Sequence, residues 1–127
     1  MPPELPNNPS PGLIPDADRI RLRHMLEAAR DALQFAGGRQ RSDLDSDRLF
    51  RRGVLDCIQE IGEAAVQVSP ECRDRVPGVP WRQIVGMRHR LVHVYFDINL
   101  DLVWEVLARD LDPLAQALKL ALAPSTT

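Results

Sequence analysis

Residues 55–70, LDCIQEIGEAAVQVSP, indicate the fold class of this 127-residue chain. Pro70 cannot continue a helix and therefore marks where the preceding helix ends. The pattern predicts an amphipathic helix that starts near Asp43 and continues to about Val68. Its apolar residues recur every three or four positions, the spacing of one helix face: Leu55, Ile58, Ile61, Ala65 and Val68.

Two other segments with helical periodicity flank this one. An earlier helix is expected over residues 16–36, with Asp16 as a candidate N-cap and Gly37-Gly38 as its end. A later helix is expected over residues 80–95, because proline suits the first turn of a helix. The connector before it has room for a helical turn near residues 71–75. The apolar face of the first helix consists of Ile20, Leu26, Ala29, Leu33 and Ala36.

A fourth helix is predicted from about Leu100 to Leu122, and Pro113 should kink it or split it in two. Because the connections are short and no strand pattern is convincing, we predict an all-α, antiparallel up-down bundle of four main helices. This domain covers residues 16–122, between a disordered proline-rich tail, 1–15, and a short loose end, 123–127. The apolar residues of the fourth helix are Val103, Val106, Leu107, Leu111, Leu114 and Leu118.

The composition limits the possible function classes. The formal charge of −2 excludes nucleic-acid binding through global charge, so any such contact must be local. Cys57 and Cys72 cannot form a disulfide framework and lack metal-ligand spacing, which predicts reduced thiols. We see no signal-peptide pattern and nothing approaching the ~20 apolar residues that span a bilayer. We therefore expect a cytoplasmic protein that does not enter a membrane.

The stretch most informative about function is residues 87–95, MRHRLVHVY. On a helical wheel, Arg88 falls inside the apolar arc of this helix. A guanidinium among core-facing residues needs partners, because it is always charged. One interpretation is an ion pair with an acid of a neighbouring helix, such as Glu60 or Glu63. The other is that the helix faces a groove there and that Arg88 binds an anionic ligand.

Arg88 and His93 do not lie side by side on a regular helix, since about 140° around the axis and ~7.5 Å along it separate them. They can converge only if the helix deforms near His93 or if a second copy of the chain completes the site. This geometry favours a homodimer, the commonest oligomer. His89 and His93 are four residues apart on one helix face, a spacing that can supply two of the ligands of a zinc site. The other ligands are missing, so we predict no metal.

Charge is unevenly distributed along the chain. Residues 73–90 contain five arginines and one acid, a balance of +4, whereas residues 97–123 contain five acids, one arginine and one lysine, a balance of −3. Two interpretations are open. The basic and acidic segments either pair with each other inside the fold, or the basic segment provides a local phosphate site.

The motif Arg-x-x-x-x-His-x-Tyr at residues 88–95 resembles the signature of the HepT-like toxins of the HEPN superfamily. Three flanking stretches are similar to the same family: EIGEA at 60–64, PWRQIVGM at 80–87 and FDINLDLVW at 96–104. The similarity spans roughly residues 18–122. One departure is His89, which stands where the family often has asparagine.

The resemblance implies a metal-independent endoribonuclease toxin that works as a homodimer without a cofactor. The residue chemistry fits RNA as the substrate, because the RNA 2′-hydroxyl can act as an internal nucleophile. His93, with an unperturbed pKa of ~6.5, suits general acid or base catalysis. Arg88 offers a planar donor fork to the phosphate. His89 and Arg90 are assigned supporting or substrate-positioning roles.

The same resemblance implies a partner, a MntA-like nucleotidyltransferase antitoxin that attaches AMP to the motif tyrosine, here Tyr95. An added nucleotide would bring bulk and negative charge to a site meant for RNA phosphates.

Two interpretations from other classes remain open. The chain can be a non-catalytic HEPN module that binds a nucleotide or a protein through Arg88 and His93. It can also be a plain dimerisation bundle in which Glu60 or Glu63 satisfies Arg88.

Overall fold

The computed structural model describes residues 14–93 and 98–124, and for residues 88–93 it describes the backbone alone. Within these ranges every regular element is helical, which confirms the predicted all-α class. A π-helical turn, Val106–Asp110, joins the last two helices. The α-helices are α1 (Asp16–Ala36), α2 (Asp43–Ser46), α3 (Arg48–Gln67), α4 (Pro70–Arg75), α5 (Trp81–His93), α6 (Leu100–Glu105) and α7 (Leu111–Leu122).

The N-cap of helix α1 lies one residue earlier than the sequence predicts. Pro15 occupies the N-cap position, and Asp16 is the first helical residue rather than the cap. Asp16 still suits this end, because a carboxylate in the first turn interacts favourably with the helix dipole. The predicted stop at the glycine pair is confirmed, and Gly38 has a φ of 75°, which glycine adopts without strain.

The helix predicted from Asp43 to Val68 is two helices, α2 and α3. Asp47 leaves the helical conformation between them, with φ −111° and ψ 99°, and its side chain accepts a hydrogen bond from the Phe50 N–H at 3.1 Å. This side-chain cap satisfies a donor that would otherwise be unpaired at the start of α3. The turn expected near residues 71–75 is α4, where the Ser69 hydroxyl caps the Cys72 N–H at 3.2 Å.

The predicted interruption near Pro113 takes the form of a π-turn. Proline has no N–H, and its ring would collide with the carbonyl four residues earlier in a regular helix. The backbone widens just before it, so that the Leu111 N–H bonds to the carbonyl of Val106, five residues back. Helices α6 and α7 are therefore joined by a continuous helical backbone with one wider turn, and no sharp break separates them.

The helices pack around a single core. Helix α1 packs mainly against α3 and α7, and α3 packs against α5. The start of α1 meets the ends of both neighbours, since Asp18 bonds to Ser69 after α3, and Arg19 donates to the Leu122 carbonyl of α7 at 2.6 Å. These contacts require α1 to run antiparallel to α3 and α7. All six apolar residues predicted for the last helix are buried, but Ile20 is 50% exposed, so its assignment to the core face was wrong.

Asp18 is the one buried charged residue in the described part of the chain, with 5% of its surface exposed. Its carboxylate accepts hydrogen bonds from the Ser69 N–H at 2.8 Å and from the Ser69 hydroxyl at 2.7 Å. Ser69 in turn caps α4, so Asp18 ties the start of α1 to the segment that leads towards α5.

Replacing Asp18 with alanine should lower the free energy of unfolding by about 3 kcal/mol, because two hydrogen bonds to a charged group are lost and Ser69 is left unsatisfied. Urea unfolding followed by circular dichroism measures this. Asp16→Ala is the matched control, since Asp16 is exposed, and we expect a change within about 0.5 kcal/mol. Equal midpoints for the two variants would contradict the tie.

None of the described helices combines the length and apolar character needed to cross a lipid bilayer.

Candidate functional site

Helix α5 carries the motif, and its first turns are held firmly. The Trp81 indole N–H donates to the Val76 carbonyl at 3.0 Å, and the Ile84 N–H donates to the Pro80 carbonyl at 3.0 Å. Ile84 is buried against the core. The sequence predicted a start at Pro80-Trp81, and the observed helix begins at Trp81. The start of α5 is therefore a rigid base for the motif at its other end.

Positions 88, 89, 90 and 93 lie in the last turns of α5, on α-helical backbone up to His93. Tyr95 lies outside the described residues. Because the helix is regular over the interval from Arg88 to His93, these two positions are separated by about 140° around the axis. The helix does not deform as far as His93. The backbone up to His93 therefore places the two positions on different sides of α5.

The sequence predicted Glu60 or Glu63 as a partner of Arg88. The described neighbours of these two acids belong to α1 and α3. The two acids line a groove with Arg21 and His24 of α1. Burial and the neighbouring carboxylates raise the pKa of Glu60, and Glu63 accepts a hydrogen bond from the Gln59 side chain at 3.3 Å. The Arg88 side chain is not among those described, so its pairing stays a prediction.

A cavity of about 300 Å³ separates α5 from the π-turn. Ile84 and Met87 of α5 form one wall, and Val106 and Leu111 contribute to the other. Arg109 lies at this cavity and pairs with Glu105 at 3.2 Å within its own segment. The cavity is mostly apolar, and it places the widened turn opposite the residues that lead into the motif.

A second concave surface, which we call the α4–α5 groove, has a volume of about 660 Å³. Its walls come from the end of α4 and the first turns of α5 and combine charged and apolar side chains. Arg73 stacks over the Trp81 ring at 5.8 Å, a cation–π distance. The residues lining the groove are Arg73, Asp74, Trp81, Arg82, Val85 and Gly86.

Neither cysteine is suited to nucleophilic catalysis. Burial raises the pKa of both Cys57 and Cys72 to about 11, so the thiolate is scarce near neutral pH. Among the side chains that the structure describes, no three of His, Cys, Asp and Glu come together as a metal site.

Comparison with known proteins adds the decisive observation. The family model described as Ribonuclease HepT-like matches residues 25–121, which include α5 and most of the bundle. The chain belongs to the HepT-like ribonuclease family. The match confirms the resemblance drawn from the motif at 88–95 and its flanks, and with it the assignment of the chain as an endoribonuclease. No solved structure matches the chain with significance.

Several curated relatives align with most of this HepT-like chain. A candidate RNase of Methanocaldococcus jannaschii is 32% identical over 89 residues, which cover 70% of this chain and 82% of the relative. A candidate RNase of Caldanaerobacter subterraneus is 30% identical over 101 residues, covering 80% and 90%. A protein of Thermococcus cleftensis that carries the name ribonuclease HepT is 28% identical over 72 residues, covering 57% and 66%.

The sequence interpretation did not single out Trp81, Arg82 and Gly86 as a surface. Two signals pointed towards it: the excess of arginine over residues 73–90, and a glycine inside a predicted helix. The contact between α4 and α5 that joins these residues depends on the fold of the connector, which local periodicity does not reveal.

Proposed function

We propose that this HepT-like ribonuclease is the toxin of a type II toxin–antitoxin system and that it cleaves RNA as a homodimer without a metal ion. The observation that carries the proposal is the placement of Arg88 and His93 on opposite parts of a regular helix in a member of this family. One subunit then holds half of each site. Two copies of α5 across an interface bring the halves together.

The proposed reaction is transphosphorylation by the RNA 2′-hydroxyl. The 2′-oxygen attacks the adjacent phosphorus, the bond from phosphorus to the 5′-oxygen breaks, and the products are a 2′,3′-cyclic phosphate and a 5′-hydroxyl. His93 of one subunit accepts the 2′-hydroxyl proton and then donates a proton to the leaving 5′-oxygen. Arg88 stabilises the charge that develops on the phosphate. His89 and Arg90, in the same turns of α5, are proposed to orient the strand.

The test is cleavage of single-stranded RNA by the purified chain in excess EDTA. We expect fragments that end in 2′,3′-cyclic phosphate, identified by mass spectrometry, and no cleavage of RNA with 2′-O-methyl groups. Cleavage that stops with EDTA and returns with a divalent cation would contradict the metal-independent mechanism. Stoichiometric nucleotide binding with intact RNA would instead support the non-catalytic module.

We further propose that a MntA-like nucleotidyltransferase antitoxin neutralises the toxin by attaching AMP to Tyr95, two residues after His93. The added negative charge would repel the RNA phosphates. Intact mass after co-expression with such an enzyme is expected to increase by one or more AMP groups, and Tyr95→Phe should abolish the increase. If the Tyr95→Phe protein still gains AMP, the acceptor is another residue and the assignment of Tyr95 is wrong.

A further inference from the structure

We propose that the α4–α5 groove binds the RNA strand beside the scissile phosphate, with Arg82 as its principal phosphate contact. The inference rests on the proposed endoribonuclease function and extends it, because the groove lies outside the motif at 88–95. The groove faces a part of α5 that precedes the motif by one to two helical turns.

Among the side chains that the structure describes, no acid of residues 98–123 pairs with an arginine of the groove. Asp101 pairs with Arg41 at 2.7 Å, and Glu105 pairs with Arg109 within its own segment. Arg82 is exposed and forms no ion pair with any side chain that the structure describes. Within the described residues, Arg82 is thus not held by a pairing of the basic and acidic segments. An unpaired, exposed guanidinium in a concave surface is suited to a phosphate.

The opposite wall of the groove is preorganised. The Arg73 guanidinium donates to the Val68 and Ala65 carbonyls at 3.2 and 2.9 Å, so it is anchored on the end of α3 by neutral acceptors that leave its charge in place. It stacks over Trp81, whose indole is itself anchored. Such a fixed arginine–aromatic pair is a typical platform for single-stranded nucleic acid. Among the described residues that line the groove, Asp74 is the one acid, against Arg73 and Arg82.

Gly86 gives an independent reason to expect a ligand here. It lies inside α5, where glycine weakens a helix relative to alanine. A Cβ atom at Gly86 would meet no described atom within 4 Å, so packing within the subunit does not require glycine. Because Gly86 has no Cβ atom, the helix backbone is open to the groove at this position. A strand that approaches the helix closely would use this space.

The groove is aligned with the motif. On a regular helix, positions 82, 86, 89 and 93 fall within about 60° of one another around the axis, and ~16 Å separates the first from the last. Arg82 and Gly86 therefore lie on the same stripe of α5 as His93. A strand whose reacting phosphate lies at His93 can follow this stripe into the groove.

The test compares Arg82→Ala with Arg23→Ala, which removes the same charge from the exposed side of α1, a helix that packs mainly on α3 and α7. Binding is measured with fluorescent single-stranded 2′-O-methyl RNA, which cannot be cleaved by the proposed reaction. Arg82→Ala should weaken binding about fivefold to tenfold and reduce the salt slope by ~0.7, the value for one phosphate contact. Arg23→Ala should leave both unchanged.

A second variant, Gly86→Gln, fills the groove without removing charge. It should weaken RNA binding at least as much as Arg82→Ala while its melting temperature stays the same or rises, because the new side chain enters open space and favours helix. In cleavage assays on unmodified RNA, the loss in Arg82→Ala should fall on KM rather than on kcat.

Each outcome separates the two proposals. If the wild type cleaves RNA and Arg82→Ala binds like Arg23→Ala, the groove proposal fails and the ribonuclease stands. If the wild type binds RNA but does not cleave it, catalysis fails while the binding comparison still decides the groove. Wild type that binds no RNA overturns both. If Arg82→Ala or Gly86→Gln changes the oligomeric mass measured by light scattering but leaves the RNA affinity unchanged, the groove is a protein interface and the proposal is overturned.

Discussion

Replacing His93 with alanine is expected to lower kcat for RNA cleavage by about 10²–10⁴-fold, the usual contribution of a general acid or base. The reason is that His93 is assigned the proton transfers, and neither thiol can replace it because burial raises the pKa of both to about 11. The loss should fall on kcat, because His93 acts on the reacting bonds rather than on the flanking strand. The measurement is single-turnover cleavage of a defined RNA by wild type and variant.

Arg23→Ala provides the control for this experiment, since it changes an exposed side chain of α1. Circular dichroism should show the same helical content for all three proteins. A His93→Ala protein that is folded and cleaves RNA at the wild-type rate would remove His93 from the mechanism, although family membership would not be affected.

Mixing Arg88→Ala with His93→Ala subunits is expected to restore cleavage that neither variant has alone. Arg88→Ala by itself should lose about 10²–10³-fold in kcat, as when a group that stabilises transition-state charge is removed. If each site takes Arg88 from one subunit and His93 from the other, every mixed dimer has one complete site. Random exchange makes half of the dimers mixed, so activity should reach about a quarter of the wild-type value.

The complementation also tests the helix geometry directly. A site built within one subunit would give no recovery, because every subunit in the mixture lacks one of the two groups. The control is a mixture in which both subunits carry His93→Ala, which must remain inactive. Recovery in the first mixture only would place the site across the interface.

Periodicity was sufficient for most of the fold because burial imposes it. The last helix shows this best: each of its six predicted core residues, from Val103 to Leu118, is buried. The errors come from local hydrogen bonds that compete with the helix. Asp47 ends one helix and caps the next, inside the stretch that was predicted to be one helix. Near Pro113 the sequence indicated a disruption, but only the backbone shows that a widened turn absorbs it.

The candidate site divides in the same way. The motif at 88–95, its helical setting and the family follow from residue types and spacing, and the angle between Arg88 and His93 follows from the 3.6-residue repeat. Asp18 was not foreseen, because its partner Ser69 lies 51 positions away in the chain. The same is true of the α4–α5 groove, which exists only because the connector folds Arg73 against Trp81.

The sequence alone thus determined the all-helical class and the Arg88–His93 motif, because both depend on neighbours within a few residues along the chain. Only the tertiary structure decided where Arg73 is held and that Arg82 is exposed. Charge counts also allowed a pairing of the basic and acidic segments, the commoner case, but Asp101 pairs with Arg41 and Glu105 pairs with Arg109. Which charges meet depends on distances between helices, and these are set by packing rather than by local sequence.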